Sequence, residues 1–278
     1  MKKYLLVLTI ALSLLLAACG GDDKPKEEGK KDEATEIVVG ASSEPHAEIL
    51  EEVAPILKDK GITLKIEHYQ DYVLPNDDVS NKTLDANYFQ HLPYLEQTIK
   101  DTGYDLANLG GIHIEPMGVY SKDIAKLEDV KDGTEVILSN SVSDHGRVLA
   151  LFESQGLIKL NEDVEKSEAT LDDIVENKKD LKFSPDYEPA LLPEFYHSEK
   201  NVLVAINTNY AIGADLNPLE DALFIEGDDS PYVNIIAVRS EDSDNEALKT
   251  LVEVLHSKEI QDFILDKYQG AVVPVSGK

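Results

Sequence analysis

Arg147 is the side chain whose type and position most clearly indicate binding chemistry. It lies near the start of a predicted helix, after the loop Asn140–Ser143, in a chain with few arginines. A guanidinium group can hold a carboxylate through two parallel hydrogen bonds, and a helix N-terminus adds free N–H donors. The alternative is a surface arginine that pairs with Asp144 or Glu153. Type and place together favour a site for a small molecule that carries a carboxylate.

Two asparagines could complete such a site. Asn207 follows an apolar predicted strand, and Asn234 lies within another. An amide offers both a donor and an acceptor, so it can contact an ammonium group and a carboxylate alike. The alternative roles are a helix N-cap for Asn207 and a turn for Asn234.

Other chemistries have little support in the sequence. The seven histidines show no paired zinc-ligand spacing such as H-E-x-x-H, and no G-x-S-x-G, P-loop or dinucleotide motif occurs. With 54 acidic residues in the chain, carboxylate pairs say little about acid–base catalysis. We expect a protein that is not an enzyme and needs no cofactor. A divalent-metal-binding surface lipoprotein is the alternative.

The N-terminus carries the strongest local motif. Lys2 and Lys3 precede an apolar run from Leu5 to Leu16, which leads through two alanines to Cys19. A run of about a dozen residues suits a signal peptide and is too short to span a bilayer, which needs roughly 20. The string L-A-A-C ending at Cys19 resembles the bacterial lipobox, which implies cleavage before Cys19 and lipidation of its thiol. An incidental cysteine after an ordinary signal peptide is the alternative.

The residues after the cysteine form a predicted flexible, acidic tether over positions 19–35. They are mostly Gly, Lys, Asp and Glu, so they cannot bury enough apolar surface to fold. The whole chain has a formal net charge of −28. Nucleic acids and anionic lipid surfaces require clustered Lys and Arg, so neither is an expected partner. Membrane contact is expected through the lipid anchor only.

The rest of the chain must position the candidate side chains, and its pattern predicts an α/β fold. Predicted strands are Ile37–Gly40, Ile62–Ile66, Gly118–Ser121, Thr134–Leu138, Leu181–Ser184, Val202–Ile206 and Val233–Arg239. Predicted helices cover about 45–60, Leu92–Lys100, His145–Gln155, Leu171–Asn177, Leu191–His197, Asn245–His256 and Lys258–Tyr268. Strand-to-helix junctions lie at Ser42, Asn140–Asp144 and Asn207, where open α/β sheets bind ligands. The pattern fits a periplasmic-binding-protein-like fold, with two α/β lobes and a ligand cleft between them.

Several long strings together resemble one family, the methionine-binding lipoproteins of bacterial ABC importers (the MetQ/NlpA family). The strings are DYVLPN at Asp71–Asn76, LDANYFQHLPYL at Leu84–Leu95, PMGVYS at Pro116–Ser121, GLIKL at Gly156–Leu160, AINTNYA at Ala205–Ala211 and SPYVN at Ser230–Asn234. They run in order from about Ile37 to Gly270. This resemblance is therefore far more specific than any single short motif.

The resemblance implies a site in which an aromatic cage grips a thioether while an arginine and amides hold the backbone of an amino acid. The positions that match the family's side-chain contacts are Tyr72, Phe89, His91 and Tyr94, and those that match its backbone contacts are Arg147, Asn207 and Asn234. Aromatic rings gain about 0.3–1.5 kcal/mol from a contact with sulfur. Without the resemblance, Phe89 and Tyr94 would be interpreted as ordinary core aromatics.

The sequence departs from the family pattern three residues before Arg147. The family string there is like N-L-G-R, whereas this chain has Asp144-His145-Gly146-Arg147. Asp144 could cap the helix, pair with a ligand ammonium group, or compete for Arg147. The resemblance therefore implies methionine, L- and possibly D-, or a close relative such as a methionyl dipeptide, with Asp144 as a further candidate ligand-binding residue.

The predicted organisation has four parts: a signal peptide (1–18), the tether (19–35), lobe I (36–119 plus 232–278) and lobe II (120–231). The family implies an amino-acid ligand, an ABC permease and its ATPase as partners. The chain is expected to be a monomer, lipid-anchored at the cell membrane and facing outside the cytoplasm.

Overall fold

The computed structural model describes residues 35–227 and 230–276. The predicted signal peptide, the Cys19 anchor and the tether as far as residue 34 lie outside the described residues. Within the described part of the chain, no helix is long and apolar enough to cross a membrane. The first strand begins at Thr35, the last residue of the predicted tether.

Strands and helices alternate along most of the described chain. The strands found there are β1 (Thr35–Ser42), β2 (Ile62–Tyr69), β3 (Ala86–His91), β4 (Leu106–Ile114), β5 (Gly118–Tyr120), β6 (Glu135–Ser139), β7 (Ile158–Leu160), β8 (Ile174–Asn177), β9 (Lys182–Tyr187), β10 (Leu203–Ile206), β11 (Ala222–Ile225), β12 (Val233–Arg239) and β13 (Val273–Pro274). The α-helices are α1 (Glu48–Asp59), α2 (Leu74–Ser80), α3 (Leu92–Thr102), α4 (Val142–Ser154), α5 (Leu192–Ser198), α6 (Thr208–Gly213), α7 (Pro218–Asp221), α8 (Glu246–Leu255) and α9 (Lys258–Tyr268).

The first lobe is built on a six-stranded mixed sheet with the strand order β13-β4-β12-β3-β1-β2. β1 is parallel to β2 and β3, whereas β12 is antiparallel to β3 and β4. Ile236 and Val238 of β12 pack in the core beneath α1, α8 and α9, while Ile235 and Ala237 pack on the opposite face with α2 and α3. Both faces of the sheet are therefore covered, as the two-residue period of a strand allows.

The second lobe is built on a five-stranded sheet with the order β11-β5-β10-β6-β9. β6 is parallel to β9 and β10, and β5 is antiparallel to β10 and β11. Leu203 and Ala205 of β10 face the core that includes α4, and Val204 and Ile206 face the core that includes residues of α5 and α6. This lobe is also an α/β sandwich, so the predicted fold class is confirmed.

The chain crosses between the lobes twice. One crossing joins β4 to β5 through residues 115–117, and the other joins β11 to β12 through residues 226–232, of which 226–227 and 230–232 are described. Both crossings lie beside the candidate site.

The predicted helix Leu171–Asn177 is wrong. Thr170 and Asp173 close a capping box around a single 3₁₀ turn, and the chain then continues as β8, antiparallel to β7. The β-branched residues Ile174 and Val175 favour this strand.

Strands β3 and β4 were absent from the predicted elements. All six residues of β3 are buried, including polar ones. Asn76, Asn87 and Gln90 share a network of amide hydrogen bonds of 2.7–3.0 Å. Buried amides break the apolar pattern that identifies a strand, although the network satisfies their hydrogen bonds.

Candidate functional site

A cavity with residues of both lobes in its wall contains about 380 Å³ of empty space, part of it open to solvent. Its lining residues are Tyr72, Phe89, Gln90, His91, Tyr94, Glu115, Asp144, Arg147, Asn207, Thr208, Asn209 and Asn234. The structure brings together all the ligand-binding residues predicted from the sequence, Asp144 included. Their contact with a ligand stays a prediction, and Cys19 lies outside the described residues.

One end of the cavity is aromatic. The ring centroid of Tyr72 lies 5.7 Å from that of Phe89 and 6.0 Å from that of Tyr94, and Phe89 and Tyr94 are 5.9 Å apart. These separations are typical of interacting rings and leave ring edges and faces toward the cavity. Tyr210 of the second lobe adds a fourth ring, 5.1 Å from Tyr72.

The junction of β3 and α3 positions two members of this end. Pro93 occupies the first turn of α3, and the His91 side chain caps that helix by accepting a hydrogen bond from the Tyr94 amide at 3.2 Å. The bonded Nδ1 is therefore an acceptor, so the proton of a neutral His91 ring lies on Nε2. That nitrogen faces Asp144 Oδ1 at 3.1 Å.

Asp144 links the lobes from the first turn of α4. Its Oδ1 accepts from His91 of the first lobe, and its Oδ2 accepts from Asn207 Nδ2 at 3.0 Å. Burial alone would raise the pKa of Asp144, but His91, Arg147 and Asn207 outweigh it and hold the pKa below its usual value. The carboxyl group is therefore ionised, although the residue is only 2% exposed.

Arg147 is buried and tied to both segments that cross between the lobes. Its Nε and Nη2 donate to Glu226 Oε2 at 2.9 and 2.6 Å, and Nη2 also donates to the Glu115 carbonyl at 2.6 Å. The Tyr232 ring lies 4.6 Å from the guanidinium carbon. Neither Asp144 nor Glu153 is its salt-bridge partner, contrary to the surface alternative. Within the described residues no hydrogen bond reaches Nη1, which leaves this nitrogen available to a ligand.

The glycine before Arg147 has a steric cause. A Cβ at Gly146 would lie 2.5 Å from the Lys166 carbonyl oxygen and 2.6 Å from that of Ser167. Only glycine lets α4 approach this backbone so closely, and the approach fixes the turn that carries Asp144 and Arg147.

Neither asparagine has its alternative role. Asn207 occupies the N-cap position of α6, but its side chain makes no capping hydrogen bond and points to Asp144 instead. Its Oδ1 is buried without a partner among the described residues. Asn234 lies in β12 rather than a turn, and its Oδ1 is 3.0 Å from His46 Nε2.

A buried polar cluster lies behind Asn234. Glu115 Oε1 is 3.1 Å from His46 Nε2 and 2.7 Å from His113 Nε2. Burial lowers the pKa of His46 to about 4 and that of His113 to about 3. Both rings are therefore neutral near pH 7. Burial raises the pKa of Glu115, and the charge of Arg147 and a hydrogen bond from the Asn209 backbone oppose that effect.

The sequence alone did not single out several residues at this site: Glu115, Asn209, Tyr210, Glu226, His46 and His113. Asn209 and Tyr210 lie within the AINTNYA string, so the resemblance could have identified them. His46 and His113 are 67 positions apart in sequence, and Glu115 and Glu226 are two acids among 54, so only the fold reveals them.

The comparisons with known proteins agree with one another. The model of the NlpA lipoprotein family matches residues 37–276. A curated relative from Bacillus subtilis (strain 168), named methionine-binding lipoprotein MetQ, is 48% identical over 277 residues, which is 99% of both chains.

Solved structures give the same result. One is of a putative methionine-binding lipoprotein from Bacillus subtilis, with a TM-score of 0.85, 50% identity and coverage of 87% of this chain and 98% of the other. A second is of a nutrient binding protein from Burkholderia cenocepacia bound to methionine, with a TM-score of 0.80, 38% identity and coverage of 86% and 99%.

Proposed function

The chain belongs to the NlpA lipoprotein family, and on that premise we propose that it is the substrate-binding component of an ABC importer and binds methionine. The proposed ligand is methionine, in its L-form or in both its L- and D-forms, or a close relative such as a methionyl dipeptide. One observation carries the proposal. A single cavity is lined by three packed aromatic rings, by a buried arginine and by an asparagine whose side-chain oxygen has no partner among residues 35–227 and 230–276.

The aromatic end suits a thioether. Tyr72, Phe89 and Tyr94 present ring faces and edges at centroid distances of 5.7–6.0 Å from one another. Each ring that touches sulfur contributes about 0.3–1.5 kcal/mol. The relative from Burkholderia cenocepacia was solved with methionine bound, which supports the same ligand class here.

The polar end suits an amino-acid head group. Nη1 of Arg147 would hold the ligand carboxylate, with Asn207 and Asn234 as amide contacts and Asp144 and His91 beside them. We take the six-stranded and five-stranded sheets as the cores of the two lobes that open and close on the ligand. The ligand would be sealed in when His91 and Asp144 meet across the cleft.

The proposal places the protein outside the cytoplasm, anchored in the cell membrane through Cys19. The closed lobes would present the ligand to an ABC permease with its ATPase, with the lipid as the sole membrane contact. The protein would act as a monomer and catalyse no reaction.

A divalent metal ion is the second candidate ligand, because the ligand atoms of His46, His113 and Glu115 all lie within 4.8 Å of one another. Two histidines and a carboxylate are a donor set that zinc accepts. Metal binding would occupy the cluster behind Asn234 rather than the aromatic end.

A thermal-unfolding screen of the full chain in detergent, stripped of ligand by unfolding and refolding, separates the candidates. Methionine at 100 times Kd should raise the free energy of unfolding by roughly 2.7 kcal/mol. A response to methionine that persists in EDTA supports the importer role. A response to zinc or manganese alone contradicts it.

A further inference from the structure

Glu115 is a buried carboxylate in the cavity wall to which neither the sequence nor the proposed contacts assign a role. We propose that Glu115, held in place by His46 and His113, binds the ammonium group of the ligand together with the side-chain amide oxygen (Oδ1) of Asn207. The site would then require a free amine. This inference rests on the function proposed above and assigns the residues that recognise the amine.

The two histidines orient the carboxylate. An ionised Glu115 can only accept, so at 2.7 Å from its Oε1 the proton of the neutral His113 ring lies on Nε2, and Nδ1 then accepts from the Tyr88 hydroxyl at 2.5 Å. His46 Nε2 approaches the same oxygen at 3.1 Å. The Asn209 backbone N–H also donates to this carboxyl group. Within the described residues no side-chain hydrogen bond reaches Oε2, and a carboxylate oxygen can accept more than one hydrogen bond, so Oε2 can still accept from a ligand.

Asn207 supplies an independent sign of a missing donor. Its Nδ2 donates to Asp144 Oδ2 at 3.0 Å, and an ionised carboxylate can only accept, so the orientation of the amide is fixed. Its Oδ1 is consequently left buried without a donor among the described residues. A buried acceptor without a partner costs free energy. A ligand ammonium group brings three N–H donors and removes this cost.

The charges around the cavity point the same way. Three carboxylates, those of Glu115, Asp144 and Glu226, lie near the single guanidinium group of Arg147. Buried charges need a partner of opposite sign. A ligand ammonium group supplies such a partner and favours the ionised form of Glu115, whose pKa burial raises, whereas a ligand with only a carboxylate does neither.

Isothermal titration of the full, ligand-stripped chain with two probes tests the assignment. The probes are L-methionine and 4-(methylthio)butanoate, which keeps the side chain and carboxylate but has no amine. The wild-type protein should bind the second probe at least 100-fold more weakly. Glu115→Gln retains an acceptor for both histidines, and it should weaken methionine at least tenfold without weakening the amine-free probe.

Glu153→Gln is the matched control. Glu153 lies on α4, pairs with Lys166 and does not line the cavity, so this variant loses the same charge and should bind both probes as the wild type does. If Glu115→Gln fails to fold, Asn207→Ala, which removes the second acceptor, must lower the preference for methionine instead.

Three results would overturn the inference. Equal wild-type affinity for both probes would show that the amine is not recognised, although the importer role would stand. An unchanged preference in Glu115→Gln and Asn207→Ala would assign the amine to other groups. Methionine binding that EDTA abolishes and zinc restores would show that the cluster holds a cation. Failure of the wild-type chain to bind methionine at all would instead contradict the proposed function.

Discussion

The aromatic rings of the first lobe and the charged residues of the second lobe form most of the two ends of the cavity, although His91 and Asn234 of the first lobe also lie at the polar end. Tyr72, Phe89 and Tyr94 belong to the first lobe, on the β2–α2 loop, β3 and α3, whereas Asp144 and Arg147 belong to α4 of the second. The aromatic end consists of rings in mutual contact. The polar end is a network of buried charges in which most oxygens already have partners. Recognition of the side chain and of the head group should therefore be separable by mutation.

The largest effect is expected from Arg147→Ala, which should weaken methionine binding at least 100-fold. The variant removes the fixed cation of the polar end, and loss of one partner of a buried charged pair costs about 2–5 kcal/mol or more in binding. Titration calorimetry measures the change. Because Glu226 would be left unpaired, Arg147→Ala/Glu226→Gln serves as the folding control. Arg239→Ala removes the other arginine, which pairs with Asp242, and should leave the affinity unchanged.

Acid should destabilise the polar end first. His46 and His113 have folded pKa values of about 4 and about 3, below the unfolded value of 6.5. The unfolded chain therefore binds more protons, so their contribution to stability is complete above about pH 6.5 and declines as the pH falls toward the folded values. Each histidine should remove about 1.4 kcal/mol per pH unit from the free energy of unfolding over that range.

Urea denaturation of the ligand-free chain between pH 7 and 4.5 measures this slope. His113→Gln should lower the slope of unfolding free energy against pH by the contribution of one histidine. His68 is exposed, so His68→Gln should leave the slope unchanged. A stability that is constant over this range would contradict the neutral, buried state of both rings.

Asp144→Asn should change the polar end alone. It should lower methionine affinity about tenfold, which corresponds to a loss of roughly 1.4 kcal/mol in binding free energy. The substitution removes one negative charge and places an amide opposite the Asn207 amide, which must then turn around. Comparing dissociation constants for methionine and other amino acids measures the effect. Unchanged affinity with unchanged ligand ranking would show that this departure from the family string has no bearing on ligand choice.

The smallest effect is expected at the aromatic end. Phe89→Leu keeps an apolar side chain but loses the ring–sulfur contact, about 0.3–1.5 kcal/mol, so methionine should bind roughly two- to tenfold more weakly. Norleucine has no sulfur, so its affinity should fall less than that of methionine in the same variant. Phe152→Leu, in the core of the second lobe, should lower stability without altering the ratio of the two affinities. An equal loss for both ligands would mean that Phe89 contributes shape rather than a sulfur contact.

The sequence predicted the α/β class and the residues of the cavity wall much better than it predicted the groups behind them. Strands with a nearly continuous apolar run, such as β12, were correctly placed, because a strand that is covered on both faces is apolar at most positions. β3 was not predicted because three of its buried positions are Asn87, Gln90 and His91. The amides of Asn87 and Gln90 are hydrogen-bonded within the core, so the strand lacks the apolar pattern of an ordinary buried strand. The predicted helix Leu171–Asn177 is wrong because the turn that begins after Thr170 ends at Asp173, where strand β8 follows.

The aromatic residues of the wall were identified from long matching strings, without which they would have been interpreted as core aromatics, whereas the type and place of Arg147 already favoured a binding role. The partners of Arg147 were not identified from the sequence. Glu226 and the Glu115 carbonyl contact Arg147 only because both crossing segments meet beside α4. Glu226 is 79 positions from Arg147 in the sequence, and Glu115 is 32 positions from it. Pairings of that range depend on the assembled lobes and leave no local trace in the chain.

Arg147 also contacts both segments that join the lobes. Its guanidinium group binds the Glu115 carbonyl and the Glu226 carboxylate, one on each segment, and a remaining nitrogen is left for the ligand. In the closure proposed above, the ligand and the joining segments would therefore share one side chain. A small shift of Arg147 on ligand binding would then move the distant rims of the two lobes much further than it moves the side chain itself.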